Sequence, residues 1–254
     1  MTAVDPVDVL AFGPHPDDIE IGIGGTMAKH VALGHRVGLC DLTAGEMGSN
    51  GTVEQRMAEA EDAGRVLGAR WRVNLGLPDR AIGTAPDHVA RVASLVRRAR
   101  PRVVAVPYWS DRHPDHVVAS QLLTEAIFSA GLRRFQAEGD AWKPAWTCYY
   151  FINDHVPPSF VVDVSAHYDA KRRALACHVS QFAPADLDGG VDSDVDSGAD
   201  VGADTVPTRL NSARFHQLIE SRDAHFGAQL GVAFAEGFVV RPLQARPHLL
   251  LDES

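Results

Sequence analysis

The segment GPHPDDIEIGIGG places one histidine and two carboxylates, His15, Asp17 and Asp18, directly after a short apolar run. Imidazole and carboxylate groups bind Zn²⁺, and those left uncoordinated can transfer protons near neutral pH. A structural role is also open, because either aspartate could cap the helix that follows. The glycines disfavour a dinucleotide-binding loop, since they form G-x-G-G instead of G-x-G-x-x-G, and carboxylates stand where a pyrophosphate would bind.

A second segment, VPYWSDRHPDH, repeats the His-Pro-Asp pattern after another apolar run. Its polar side chains are Asp111, His113, Asp115 and His116. Alone, they could be surface histidines and helix caps. Two such clusters at the ends of predicted parallel strands favour a shared site, because the carboxyl ends of those strands meet at the sheet edge where ligands bind.

Together the two segments contain enough donors for a catalytic metal site. A catalytic zinc ion has three protein ligands and an open position for water. The predicted ligands are His15, Asp18 and His116, the predicted proton-transfer groups are Asp17 and His113, and the group predicted to orient a histidine is Asp115. We therefore predict a zinc site with groups available for proton transfer.

The elements that must position these segments alternate between strand and helix. The predicted strands are 7–13, 36–42, 71–75, 102–106, 148–152, 160–164 and 237–240, and the predicted helices are 19–33, 52–67, 87–99, 117–129, 168–178 and 208–230. This alternation is typical of an α/β fold with a Rossmann-like, mostly parallel sheet and helices on both faces. The early strands are continuously apolar, as expected of strands buried on both faces.

Composition predicts one domain over residues 1–254, with a flexible acidic insertion at about 184–206. Much of the net charge of −9 comes from the aspartates of this insertion. The sequence shows no basic patch of the kind that nucleic-acid binding requires. No signal peptide or membrane span is recognisable. The three separated cysteines are typical of reduced thiols, and we expect a cytoplasmic protein.

These motifs resemble the LmbE/PIG-L-type N-acetylglucosaminyl deacetylases, and in particular the branch that deacetylates the N-acetylglucosaminyl-malate precursor of bacillithiol. The similar segments run through nearly the whole chain: AFGPHPDDIEIGIGGT, LTAGEMGSNGT, VPYWSDRHPDH, FVVDVS, CHVSQF and LGVAFAEGF. The resemblance implies a Rossmann-like fold, a zinc cofactor, a small amino-sugar substrate and a homo-oligomer, with hexamers common among relatives.

The resemblance also implies catalytic roles. It places the zinc ligands at His15, Asp18 and His116, the general base at Asp17, and a catalytic histidine–aspartate pair at His113 and Asp115. Asp17 would then take a proton from the attacking water. Protonated His113, oriented and kept charged by Asp115, would stabilise the tetrahedral oxyanion.

Substrate contacts are predicted in the glycine-rich loop after the second strand, which contains Glu46, Ser49 and Asn50. The resemblance assigns Arg56, just after this loop, to substrate binding, and we expect it to meet an anionic aglycone. From the sequence alone, Arg56 could instead form a helix-surface ion pair with Glu59 or Asp62.

Four further residues have open roles. Lys143 is a predicted substrate contact, because it stands where relatives often have an arginine in a His-Arg-Pro segment; it keeps the charge and loses the bidentate geometry. Tyr108 and Trp109 could stack on a sugar or pack at the strand end. His225 could border the pocket or lie outside it.

Several functions remain open at this level. We favour hydrolysis of the acetamide of an N-acetylglucosamine conjugate, with N-acetylglucosaminyl-malate as the expected substrate. The alternatives are a deacetylase for another N-acyl amino sugar or a chitooligosaccharide, and a non-catalytic zinc-binding protein. Asp17 argues against the last, because no ligand set requires it.

Overall fold

A computed structural model describes residues 4–183 and 205–241. Its seven-stranded sheet has the order β3-β2-β1-β4-β5-β7-β6. The strands are β1 Val9–Gly13, β2 Val37–Asp41, β3 Trp71–Asn74, β4 Val103–Pro107, β5 Trp146–Tyr150, β6 Phe160–Asp163 and β7 Ala235–Val239. The helices are α1 Asp18–Ala32, α2 Val53–Leu67, α3 Pro86–Ala99, α4 Pro114–Ala130, α5 Tyr168–Ala176, α6 Val179–Phe182 and α7 Ala213–Leu230.

The sheet confirms the predicted mostly parallel α/β architecture. Strands β1 to β5 pair in parallel, whereas β7 lies antiparallel between β5 and β6. Side chains alternate across β1: Leu10 and Phe12 join an apolar core with α3 and α4, while Val9 and Ala11 join a second core with α1, α2 and α7. Helices therefore cover both faces of the sheet, as the continuously apolar strands predict.

Three helix boundaries differ from the sequence prediction. α4 begins at Pro114, a residue favoured in the first turn, so His116 lies inside the helix. The segment predicted as helix over 208–230 is helical only from Ala213, because Ser212 caps α7 through Phe215 N–H. The helix predicted over 168–178 ends at Ala176, and α6 follows as a separate short helix.

The acidic insertion predicted at 184–206 lies almost wholly outside the described residues. Within the described ranges, every helix is too short or too polar to cross a lipid bilayer.

Candidate active site

The two polar segments meet between β1 and β4, where the order of the strands in the sheet reverses. From β1 the chain continues to β2 on one side, while β4 pairs with β1 on the other side. Such a switch point opens a crevice at the carboxyl ends of the strands, where ligands bind in open α/β sheets. His15 follows β1 and His116 follows β4, and both line one cavity of about 260 Å³.

The three predicted metal ligands, His15, Asp18 and His116, converge in this cavity. Their donor atoms all lie within 4.8 Å of one another, and all three residues are buried. The Oδ2 atom of Asp18 is 3.1 Å from His15 Nδ1 and 3.4 Å from His116 Nε2. Two imidazole nitrogens and one carboxylate oxygen form the donor set expected of a catalytic zinc ion.

The carboxylates in and around this set favour positive charge on its histidines. Burial would lower the pKa of both histidines, but nearby carboxylates raise the pKa of His15 well above its usual value and that of His116 to about 9. Burial would raise the pKa of Asp18, yet His116 and His15 hold it well below its usual range. A divalent cation can therefore replace the protons that His15 and His116 otherwise retain. The two histidines and the carboxylate of Asp18 fit such an ion.

Asp17 lies beside this set on a constrained turn. Its φ of +124° is a conformation that non-glycine residues rarely adopt. Arg56 holds the turn by donating to Pro16 O over 3.2 Å, and its Nη2 lies 3.4 Å from Asp17 Oδ2. Burial and the charge of Asp18 raise the pKa of Asp17 to about 6, although Arg56 opposes this shift. A carboxylate of that basicity suits proton abstraction near neutral pH.

The three predicted ligands, His15, Asp18 and His116, are called the triad below. Each of its two histidines is oriented by a second carboxylate. His15 Nε2 lies 3.2 Å from Asp79 Oδ1 and 3.5 Å from Asp115 Oδ2. His116 Nδ1 lies 3.1 Å from Asp111 Oδ1. Such partners set the tautomer and ring orientation of a metal-binding histidine.

The expected side-chain pair between Asp115 and His113 is not observed. The Asp115 carboxylate instead accepts from Arg80 N over 3.0 Å and Arg80 Nη1 over 2.8 Å. The backbone N–H of Asp115 donates to His113 Nδ1 over 3.2 Å, because His113 is the N-cap of α4. Burial, followed by the charges of His116 and His15, lowers the pKa of His113. Asp115 therefore contacts His113 through its backbone N–H and not through its carboxylate. Because Nδ1 accepts this hydrogen bond, Nε2 is the ring nitrogen left to carry the proton.

Arg56 is buried instead of forming the alternative surface pair. Its Nη1 donates to Gly45 O over 2.8 Å. Gly45 has a φ of +66°, and a Cβ atom there would overlap the Arg56 guanidinium. The two proposed surface partners have other contacts: Glu59 accepts from Ser180 N–H, and Asp62 pairs with Arg65.

The other predicted substrate contacts separate into two groups. Ser49 and Arg56 line the cavity. Glu46 accepts from Asp79 N–H over 2.7 Å, and Asn50 exchanges two hydrogen bonds with the backbone of Val206, so both residues support the wall.

Lys143 and the three residues with open roles lie away from the cavity. Lys143 is exposed beside Gly131, at the opposite end of α4 from His113. That helix has 17 residues, which corresponds to about 25 Å. Tyr108 and Trp109 pack on each other with centroids 4.3 Å apart, which favours strand-end packing. His225 lines a separate surface depression.

The cavity residues that sequence reasoning missed include Asp79, Arg80, Arg112, Asn153 and Arg209. Asp79 follows β3 and Asn153 follows β5. A search for polar side chains after every parallel strand, instead of after two, would have found both. Arg209 belongs to the turn before α7, and no sequence pattern pointed to it.

Comparisons with known proteins identify the family of this chain. The family described as "PIG-L: GlcNAc-PI de-N-acetylase" matches residues 10–127. The diacetylchitobiose deacetylase of Thermococcus kodakarensis is 31% identical over 72% of this chain and 73% of its own length. The 1D-myo-inositol 2-acetamido-2-deoxy-alpha-D-glucopyranoside deacetylase of Rhodococcus opacus is 30% identical over 70% of this chain and 82% of its own length.

A solved structure extends the similarity over the full length. The conserved protein TT1542 from Thermus thermophilus has 38% sequence identity and a TM-score of 0.80, covering 98% of this chain and 99% of its own. The fold, the paired histidine motifs and these relatives define a deacetylase class that acts on N-acetylglucosamine-type substrates. This chain belongs to the PIG-L family.

Proposed function

We propose that this protein hydrolyses the acetamide of an N-acetylglucosamine conjugate, with N-acetylglucosaminyl-malate as the expected substrate, to a free amino sugar and acetate. The observation that carries this proposal is the buried triad of His15, Asp18 and His116, whose donor atoms lie within 4.8 Å of one another, with Asp17 adjacent. Asp17 has no place in the ligand set, and its buried carboxylate gives the site a base.

The triad is proposed to hold Zn²⁺. When bound, a zinc ion lowers the pKa of a coordinated water and polarises a carbonyl oxygen. Asp79 and Asp111, on the far nitrogens of His15 and His116, would keep the two rings in position.

In this proposal Asp17 takes the proton of the attacking water. The carboxylate is held by the turn that Arg56 fixes, so little reorganisation is needed before proton transfer. General acid–base help of this kind contributes about 10²–10⁴ in rate. The proton is then available to the departing amine of the sugar.

His113 is proposed to act as a neutral hydrogen-bond donor. Because Nδ1 accepts from the Asp115 backbone, the proton on Nε2 can be donated to the oxygen that becomes negatively charged. Its ring is stacked 4.7 Å from that of His116, so it borders the triad. Asp115 would act on His113 through its backbone and on His15 through its carboxylate.

A metal-reconstitution assay tests the proposal. Metal-depleted protein would be incubated with N-acetylglucosaminyl-malate, N-acetylglucosaminyl-inositol and diacetylchitobiose, with and without added Zn²⁺, and both amine and acetate would be measured. We expect equal amounts of the two products, formed only with metal. Metal-loaded protein that releases neither product from any of the three compounds would overturn the proposal.

One alternative substrate has specific support. The relative from Thermococcus kodakarensis is named a diacetylchitobiose deacetylase, so a chitooligosaccharide is a second candidate. The same assay separates the two, since the preferred compound is the one with the larger kcat/KM.

A further inference from the structure

The cavity is lined by four arginines, Arg56, Arg80, Arg112 and Arg209. Two of them are matched by carboxylates: Arg56 contacts Asp17 at 3.4 Å, and Arg80 contacts Asp115 at 2.8 Å. Neither Arg112 nor Arg209 forms an ion pair with any carboxylate in residues 4–183 and 205–241. The unmatched positive charge of the cavity is therefore concentrated on these two guanidinium groups.

The two unmatched cations act on the same region of the cavity. Arg112 and Arg209 both line it. Burial and the positive charge of Arg112 lower the pKa of Arg209, whereas the charges of Asp154 and Asp111 oppose this shift. An anion that enters the cavity would be attracted by both guanidinium groups.

Arg209 is held in a defined position, although it follows a loop. Its guanidinium lies 5.0 Å from the centroid of Phe215, and its Nη1 donates to Asn153 Oδ1 over 2.5 Å. The turn before α7 is closed by Asn211, whose Oδ1 accepts from Thr208 N–H over 2.8 Å. A guanidinium fixed in this way loses little conformational entropy when it binds a ligand.

We propose that Arg112 and Arg209 together bind an anionic group on the aglycone of the substrate, either a carboxylate or a phosphate. This inference rests on the proposed function and replaces Arg56 as the anion-binding residue, because both terminal nitrogens of Arg56 already contact Asp17, Pro16 and Gly45. Guanidinium groups suit such ligands because their donors match the geometry of both anions.

The proposed anion site is joined to the triad by hydrogen bonds. Asn153, which holds Arg209, also donates through its backbone N–H and its Nδ2 to Asp111, over 3.0 Å and 2.9 Å. Asp111 in turn contacts His116 at 3.1 Å. The aglycone end of a substrate would thereby be held at a set position relative to the reacting acetamide.

The test compares charged and neutral conjugates in matched variants. The variants are Arg112→Gln, Arg209→Gln, the charge-preserving Arg209→Lys and, as control, Arg214→Gln, which removes an exposed cation from the first turn of α7. The metal-loaded proteins would be assayed with N-acetylglucosaminyl-malate, N-acetylglucosamine 1-phosphate and neutral N-acetylglucosaminyl-inositol. Melting temperatures would identify any variant that fails to fold.

We expect each glutamine variant to raise KM for at least one anionic conjugate by about 10- to 100-fold, the usual contribution of a hydrogen bond to a charged group. KM for the inositol conjugate should change by less than about twofold, Arg209→Lys should recover part of the loss, and Arg214→Gln should match the wild type. The anion whose KM rises more, carboxylate or phosphate, is the preferred one. Equal effects on neutral and charged conjugates, or no effect of Arg209→Gln on either anion, would overturn the inference.

Direct binding separates this inference from the proposed function. Calorimetric titration of metal-loaded wild type and Arg209→Gln with malate and with inorganic phosphate needs no turnover. A wild type that hydrolyses no conjugate but binds one of these anions more tightly than Arg209→Gln would refute the proposed function and support the anion site. A wild type that binds neither anion would refute the anion site.

Discussion

Two of the regions in which the protein buries charged side chains have opposite character. In the first, the candidate active site, histidines and carboxylates border an open cavity, and two arginines lack carboxylate partners among the described residues. The second is a network around Lys171, which is fully buried between α1, α5, α7 and β7. There the Lys171 ammonium lies 2.7 Å from both Asp223 and Glu236.

The second region is satisfied internally. Glu236 also accepts from Gly25 N–H and Thr26 N–H, over 3.0 Å and 2.7 Å, and so caps the second half of α1, which is interrupted at Ile23. Because these charges have partners on every side, the network has no capacity left for a ligand. Burial of charge alone therefore does not distinguish the two regions; unmatched charge facing a cavity does.

The largest difference between the regions should appear when Asp17 is replaced. Asp17→Asn removes the proposed base while leaving all three ligands, so we expect turnover to fall at least about 100-fold with zinc still bound. Acetate release and metal content measure the two properties, and Asp87→Asn, at an exposed aspartate, is the control. A fully active Asp17→Asn protein would remove Asp17 from the mechanism.

The second region should respond in stability instead. Lys171→Met leaves Asp223 and Glu236 buried without their cation, and we expect the free energy of unfolding to drop by about 3–5 kcal/mol. Urea unfolding measures this loss. Arg173→Met, which breaks an exposed pair with Asp169 on the same helix, should change it by less than about 1 kcal/mol. Similar losses for both variants would contradict the distinction.

A smaller effect is expected from Asp79, which contacts His15 without being a proposed ligand. Asp79→Asn keeps the shape and removes the negative charge from the far side of the ring, so zinc affinity should fall about 10- to 100-fold. Competition with a chromogenic chelator measures this. An unchanged zinc affinity would mean that Asp79 only stabilises the loop, in which it accepts a hydrogen bond from Met47 N–H over 3.0 Å.

The smallest effect is expected at an exposed ion pair outside both regions. Arg36 lies 3.1 Å from Asp8, and its hydrogen bonds lower the pKa of Asp8 to about 2. A lowered folded-state pKa stabilises the fold above the unfolded-state value near 3.8, and this contribution disappears as the pH falls through about 2. Asp8→Asn should therefore cost less than about 1 kcal/mol at pH 7 and progressively less as the pH falls towards 2, as unfolding at a series of pH values would show.

Most of the sheet and the centre of the candidate site could be predicted from the sequence. Thr52 and Gly68 delimit α2 as expected, since the hydroxyl of Thr52 accepts from Gln55 N–H and Gly68 adopts the left-handed conformation. The antiparallel entry of β7 was not predictable, because an apolar strand carries no signal for its direction. The contacts of Asp79 and Asn153 also depend on the sheet order, which brings the ends of β3 and β5 to the same cavity.

Local sequence alone decided which donors exist and that two histidine motifs follow two strands, because strand and helix signals act over a few residues. Tertiary structure decided what each donor contacts. The Asp115 carboxylate contacts Arg80 and His15 instead of His113, and Arg56 contacts the turn at Asp17. Arg112 and Arg209 line the cavity without a carboxylate partner among the described residues. The reason is physical. Charge matching in a cavity depends on distances between segments far apart in the chain, and only the assembled sheet sets those distances.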